Sequence, residues 1–161
     1  MDTVAPPAYP LRSPAMPKPQ LPDGQLVVTD HVTPEIQAAL IDGLNAFNDE
    51  ITGYGDRLPL AVVVRDPVTG SVLGGAAGRS SLGLLFLDMF YLPPSYRGAG
   101  LGRAIIAAFE EEGRRRGCVS GVVNTISFQA PGFYERCGWR RFGEVACLPP
   151  GTSRVFLSKV L

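Results

Sequence analysis

Residues 95–106 read SYRGAGLGRAII and carry the densest chemical signal in the chain. Gly98, Gly100 and Gly102 stand at every second position, Arg97 precedes them, Arg103 follows, and an apolar-periodic segment begins at once. Glycine lets a backbone approach a ligand closely, and the first amides of a helix have no partner inside it. An anion placed there gains hydrogen bonds and the favourable end of the helix dipole. Two well-defined phosphate loops are excluded by residue. A Walker loop needs lysine and Ser/Thr after its last glycine, where this chain has Arg103 and Ala104. A dinucleotide fingerprint counted from Gly98 needs glycine at position 103, which is arginine. A pyrophosphate held on exposed amides remains, set against the plainer alternative of a tight turn with close helix–sheet packing.

Other residues that could do chemistry are fewer. Asp88 is a lone charge inside the apolar run LLFLDMFYL. Burying a carboxylate alone is costly, so Asp88 is either paired structurally or functional. The loop NDEITGYGD holds Asp49, Glu50 and Asp56 beside Tyr54, which either attract an ammonium group or form a solvated polar loop. Cys118, Cys137 and Cys147 lack CxxC spacing, and His31 is the only histidine. No metal site is expected from so scattered a set, and reduced thiols in a cytoplasmic protein fit it better.

These residues need a domain to position them. The chain has 161 residues, enough for one core. Fifteen Lys+Arg balance fifteen Asp+Glu, which argues against a nucleic-acid partner. No apolar run approaches the roughly 20 residues of a membrane span, and no signal peptide is visible. Residues 1–22 are dense in proline and read as a mobile arm, leaving residues 23–161 as a single domain.

Along that domain QLVVTDHV reads as a first strand. Thr33 and Pro34 then open a helix with a stripe of Ile36, Leu40, Leu44 and Phe47 through EIQAALIDGLNAFNDEI, and the overlapping segment NDEITGYGDRLP reads as a loop. Strands LAVVVRD, SVLGGAAG and LLFLDMFYL follow, and Pro93 and Pro94 end the last of them. The helix LGRAIIAAFEEEGRRRG buries Leu101, Ile105, Ala108 and Phe109. Its glutamates precede its arginines by four on what reads as a solvated face. VSGVVNT is a strand, SFQAPGFYERCG a short helix with Ser127 able to cap it, and WRRFGEVACL and TSRVFLSKVL are two last strands. The expectation is an α+β fold: a mixed, mostly antiparallel sheet of about seven strands flanked by helices.

The stretch YLPPSYRGAGLGRAII resembles the acetyl-CoA loop of the Gcn5-related N-acetyltransferases, Arg/Gln-x-x-Gly-x-Gly/Ala, through Arg97, Gly100 and Gly102. APGFYERCGW is similar to that family's second signature through Ala130, Phe133, Tyr134, Glu135, Gly138 and Trp139. The resemblance implies a sheet splayed between the fourth and fifth strands, where the pantetheine of acetyl-CoA pairs with Phe90, Tyr91 and Leu92. It implies that Gly98, Ala99, Gly100, Leu101, Gly102 and Arg103 wrap the pyrophosphate. Tyr134 falls on the general-acid position near the sulfur, and a backbone N–H near Leu92 is the implied oxyanion donor. Asp88 matches the place of a glutamate that deprotonates the amine, and serves as base or amine-binder unless it is structural. Ser127 and Ala130 border the cofactor, Ser127 standing where the family often has asparagine. The implied activity is acetyl transfer from acetyl-CoA, without a metal, to a primary amine of a small molecule, or alternatively of a peptide or protein. A non-catalytic acyl-CoA-binding module is the third alternative. A homodimer through the C-terminal strands is compatible with the pattern.

Overall fold

Pairing decides which of the expected strands exist. The computed structural model describes residues 24–161; the proline-rich arm expected at residues 1–22 lies outside the described residues. Residues 25–32 have strand-like composition but join no ladder, so the sheet has six strands and not seven. β-Propensity without a partner strand does not make a strand. The first helix, α1, spans Pro34–Thr52. Thr33 opens it by accepting from Ile36 N at 3.2 Å. It runs to the end of the expected stripe, taking in the first residues of the segment NDEITGYGDRLP read as a loop, and stops at Gly53, at φ 77°. The sheet-bearing unit runs from Asp42 to Leu161. No helix among the described residues is long and apolar enough to cross a membrane.

The strands are β1 (Leu58–Arg65), β2 (Val72–Ser81), β3 (Leu84–Tyr91), β4 (Ser120–Ile126), β5 (Arg140–Cys147) and β6 (Thr152–Val160). Their order is β1-β2-β3-β4-β6-β5, antiparallel everywhere except between β3 and β4. Helix α2 (Leu101–Arg115) makes the crossover between that parallel pair, and α3 (Pro131–Arg136) connects β4 to β5.

One face of the sheet is covered by α2. Ile105, Ile106 and Phe109 are buried against Leu85, Leu87 and Val123, while Ala108 stands exposed. Gly113 seats the helix, since a Cβ there would lie 2.6 Å from the Leu85 side chain. The charged run on α2 is only partly a solvated face. Glu110 is 4% exposed and accepts hydrogen bonds from Trp139 Nε1 at 2.9 Å and Lys159 Nζ at 2.6 Å. Arg116 reaches β1, donating to Pro59 O at 3.0 Å and Leu58 O at 3.2 Å.

Two acidic residues of the segment read as a loop are also structural. Asp49, in the last turn of α1, pairs with Arg57. Asp56 accepts from Leu82 N at 2.7 Å, pinning the β2–β3 turn, in which Leu82 and Gly83 both have positive φ.

Candidate active site

The sheet is opened from within. β3 and β4 pair only from Leu84↔Ser120 to Leu87↔Val123. Beyond that point β3 stays with β2 and β4 stays with β6, so the two parallel strands part. The cause is local. In the β2–β3 ladder Ala77 faces Met89 and Gly78 faces Leu87, leaving Asp88 as an extra, bulged residue. The bulge drives the Phe86 carbonyl onto Gly78, where a Cβ would sit 1.9 Å from that oxygen. A larger residue at position 78 would not permit the bulge. The gap between the strands is a cleft of about 1070 Å³.

The glycine loop stands at one end of this cleft. Gly98 and Gly100 have φ of 85° and 86°, in the left-handed region, and a Cβ at either would meet nothing within 4 Å. Their role is therefore conformational. Gly102 differs: a Cβ there would press on the Phe133 ring at 3.3 Å, so this glycine serves packing. Gly100 is the N-cap of α2 and has no side-chain cap, and the first internal bond runs from Ala104 N to Gly100 O at 3.1 Å. The amides of Leu101, Gly102 and Arg103 are left facing off the helix end. Arg97 Nε donates to Leu92 O at 2.8 Å, tying the loop to the end of β3. These features fit a pyrophosphate: a concave run of amides without Cβ atoms in the way, flanked by Arg97 and Arg103.

Tyr134 enters from the α2 side. It is 6% exposed and lines the cleft, with its ring packed edge-on against Phe133, Trp139 and Phe90. Trp139 packs against Gly121, where a Cβ would be 2.6 Å from the indole. Burial pushes the Tyr134 phenol up to about 12, with Cys137 adding to the rise. Asp88 also lines the cleft, and its carboxylate is salt-bridged to Arg79 Nη1 at 2.5 Å. Arg79 in turn lies over the Phe86 ring, 4.4 Å from its centre.

Of the residues singled out in the sequence, Asp88, Phe90, Tyr91, Leu92, Arg97, Gly98, Gly100, Gly102, Arg103, Ala130 and Tyr134 come together along the cleft. Ala99, Leu101 and Ser127 are not among its lining residues. Ser127 does not cap α3, whose N-cap is Ala130. Its hydroxyl instead accepts from Ser153 N at 3.1 Å, joining β4 to β6. The cleft also recruits Asn124, Phe128, Gln129, Arg136, Cys137 and Arg154. Gln129 closes the end of β4, its Oε1 accepting from Ile126 N at 3.0 Å and from the Thr125 hydroxyl at 2.9 Å. Asn124 and Arg154 are brought to the cleft by the β4–β6 register, a pairing across thirty residues that no local motif announces. Among the described residues no group of His, Cys, Asp and Glu could hold a metal.

A mixed sheet forced open beside a glycine-bounded helix start is the architecture of a coenzyme A-dependent acyltransferase. The profile of the acetyltransferase (GNAT) family matches residues 30–139, and the chain belongs to that family. It is an N-acetyltransferase of a family whose acyl donor is acetyl-CoA. An acetyltransferase of Agrobacterium fabrum (strain C58) is 32% identical over 133 residues, which span 83% of this chain and 96% of that protein. A blasticidin-S acetyltransferase of Streptomyces morookaense is 39% identical over 93 residues, 57% of this chain and 68% of that one. The crystal structure of a candidate acetyltransferase from Agrobacterium tumefaciens superposes with a TM-score of 0.79 at 31% identity, covering 86% of this chain and all of the other.

Proposed function

We propose that the protein transfers acetyl from acetyl-CoA to a primary amine of a small molecule by direct attack in a ternary complex, with residues 23–161 as its catalytic domain. The observation that carries this reading is the loss of β3–β4 pairing beyond Leu87 and Val123, which opens a cleft ending at the Gly98–Gly100 loop. Acetyl-CoA supplies the activated acetyl thioester. The backbone edge of Phe90, Tyr91 and Leu92 suits an extended amide arm lying along it as an added strand. The amides after Gly100 suit the diphosphate.

In this reading Tyr134 donates a hydrogen bond to the departing sulfur. With its phenol near 12 and an ordinary thiol near 8.5, complete proton transfer would cost ~5 kcal/mol. Tyr134 therefore stabilises the thiolate as a donor, and the proton that ends on sulfur comes from the ammonium formed by attack. Asp88, held by Arg79, orients the incoming ammonium and takes one proton from it through water, so that the neutral amine attacks. A small acceptor is supported by the relative named for blasticidin-S. A cytoplasmic setting suits three free thiols.

The experiment is release of free thiol from acetyl-CoA against a panel of small amines and peptides, alongside calorimetric titration with CoA. Turnover on small amines, lowered at least tenfold by Tyr134→Phe, is expected. Turnover confined to peptides would move the acceptor class. Tight CoA binding without turnover on any amine, unchanged by Tyr134→Phe, would leave a binding module.

A further inference from the structure

Strand register divides the cleft into two faces. Residues paired across neighbouring strands point the same way. Arg79 pairs with Phe86, Phe86 with Val122, Asn124 with Phe156, and Ile126 with Arg154. Val122, Asn124 and Ile126 alternate along β4, so all of these share one face, opposite the Leu85–Val123 face buried under α2. Tyr134 reaches the cleft from the α2 side, while Asp88, Asn124 and Arg154 line it from the other.

The charge on that second side is uneven. Asp88 is matched by Arg79. Arg154 is exposed and has no carboxylate within salt-bridge distance among the described residues. Its one side-chain partner is neutral: Nη1 donates to Asn124 Oδ1 at 2.7 Å. That bond holds the guanidinium in place and leaves its other N–H donors unspent. A planar guanidinium steadied by a neutral amide at the edge of a substrate cleft is suited to two-pronged pairing with a carboxylate or phosphate.

We propose that the acceptor carries an oxyanion group, carboxylate or phosphate, which pairs with Arg154 while its amine lies toward Asp88. This rests on the acetyl-transfer reading above and narrows its acceptor to a zwitterionic amine. A purely cationic amine would meet Arg154 unfavourably, and the side of the cleft that selects it would carry a net positive charge from two arginines and one aspartate.

The test compares matched amines with and without the anion: O-phosphoethanolamine against ethanolamine, and 4-aminobutyrate against butylamine. The readout is the ratio of kcat/KM within each pair. A ratio of tenfold or more favouring the anionic member is expected in the pair whose anion is the native one, so the two pairs separate phosphate from carboxylate. Arg154→Gln should collapse that ratio toward one, with the KM for acetyl-CoA unchanged within twofold. Arg140→Gln, on the exposed part of β5 and outside the cleft, should leave the ratio as it is. Wild-type ratios near one in both pairs, or an Arg154→Gln enzyme that keeps its preference, would overturn the proposal. If CoA binds and no amine turns over, the acetyl-transfer reading fails separately. Calorimetric binding of the same four amines to CoA-saturated protein then carries the comparison, and equal affinity within each pair overturns the proposal.

Discussion

Replacing Glu110 tests whether a buried carboxylate holds the three elements around Tyr134 together. Glu110, on α2, accepts from Trp139 Nε1, next to the start of β5, and from Lys159 Nζ on β6. Lys159 also donates to Cys137 O at the end of α3, at 2.7 Å. Arg114 adds a longer contact at 3.5 Å from the exposed side. Glu110→Gln keeps an oxygen for one donor and removes the charge. Charge-assisted bonds contribute ~1.5–3 kcal/mol and neutral ones ~0.5–1.5, so the loss should be about 1–2 kcal/mol. Glu110→Ala removes both acceptors. It strands a Trp139 N–H that is 2% exposed together with an ammonium that is mostly buried, which should cost about 3–5 kcal/mol. Trp139 is the only tryptophan, so its fluorescence in a urea titration reads unfolding at the site itself. Lys159→Met combined with Glu110→Gln in a double-mutant cycle should show a coupling of ~1–3 kcal/mol. A Glu110→Gln protein within 0.5 kcal/mol of the parent, or a coupling near zero, would refute the reasoning.

Four further outcomes follow from the same structure. Tyr134 has a folded-state phenol raised from 10 to about 12, so its stabilising contribution is complete below pH 10 and is lost as pH rises through 12. The urea midpoint of the parent should therefore fall more steeply over that window than that of Tyr134→Phe, and parallel curves would contradict this. Gly100→Ala places a side chain at φ 86° where nothing blocks it, so the folding penalty should be only ~1–2 kcal/mol while CoA affinity falls at least tenfold by calorimetry. Gly78→Ala should cost ~2–3 kcal/mol or more in urea unfolding because of the Phe86 carbonyl, whereas Gly143→Ala, whose new Cβ would find Phe156 only at 4.0 Å, should cost under 1. Burial raises the Cys137 and Cys118 thiols, so both should react slowly with iodoacetamide at pH 7 by mass spectrometry, and CoA should slow only Cys137, which lines the cleft.

Much of the fold was legible because its signals are local. The α2 stripe, the turn glycines and the prolines after β3 depend on residues within a few positions of one another. The strand expected at residues 25–32 failed because a strand needs a partner, and composition does not supply one. Glu110 was expected on a solvated face because the spacing EEEGRRR is right for one. Its true partners, Trp139 and Lys159, lie twenty-nine and forty-nine residues away. Ser127 looked like a helix cap for the same reason, yet its hydroxyl is spent on Ser153, a partner from another strand.

By itself the sequence determined the helix start with glycines and an arginine before it, the aromatic pair Phe133–Tyr134, and the lone charge at Asp88. Each is a property of a short segment, since backbone freedom and side-chain type are settled residue by residue. Only the tertiary structure decided that β3 and β4 part company after Leu87, because that depends on a bulge in the β2–β3 ladder and on the close approach of the Phe86 carbonyl to Gly78 beside it. The same holds for Asp88 being matched by Arg79 while Arg154, among the described residues, has only Asn124 as a side-chain partner. Charge balance across a cleft is set by the register of strands far apart in the chain, and register comes from the assembled sheet.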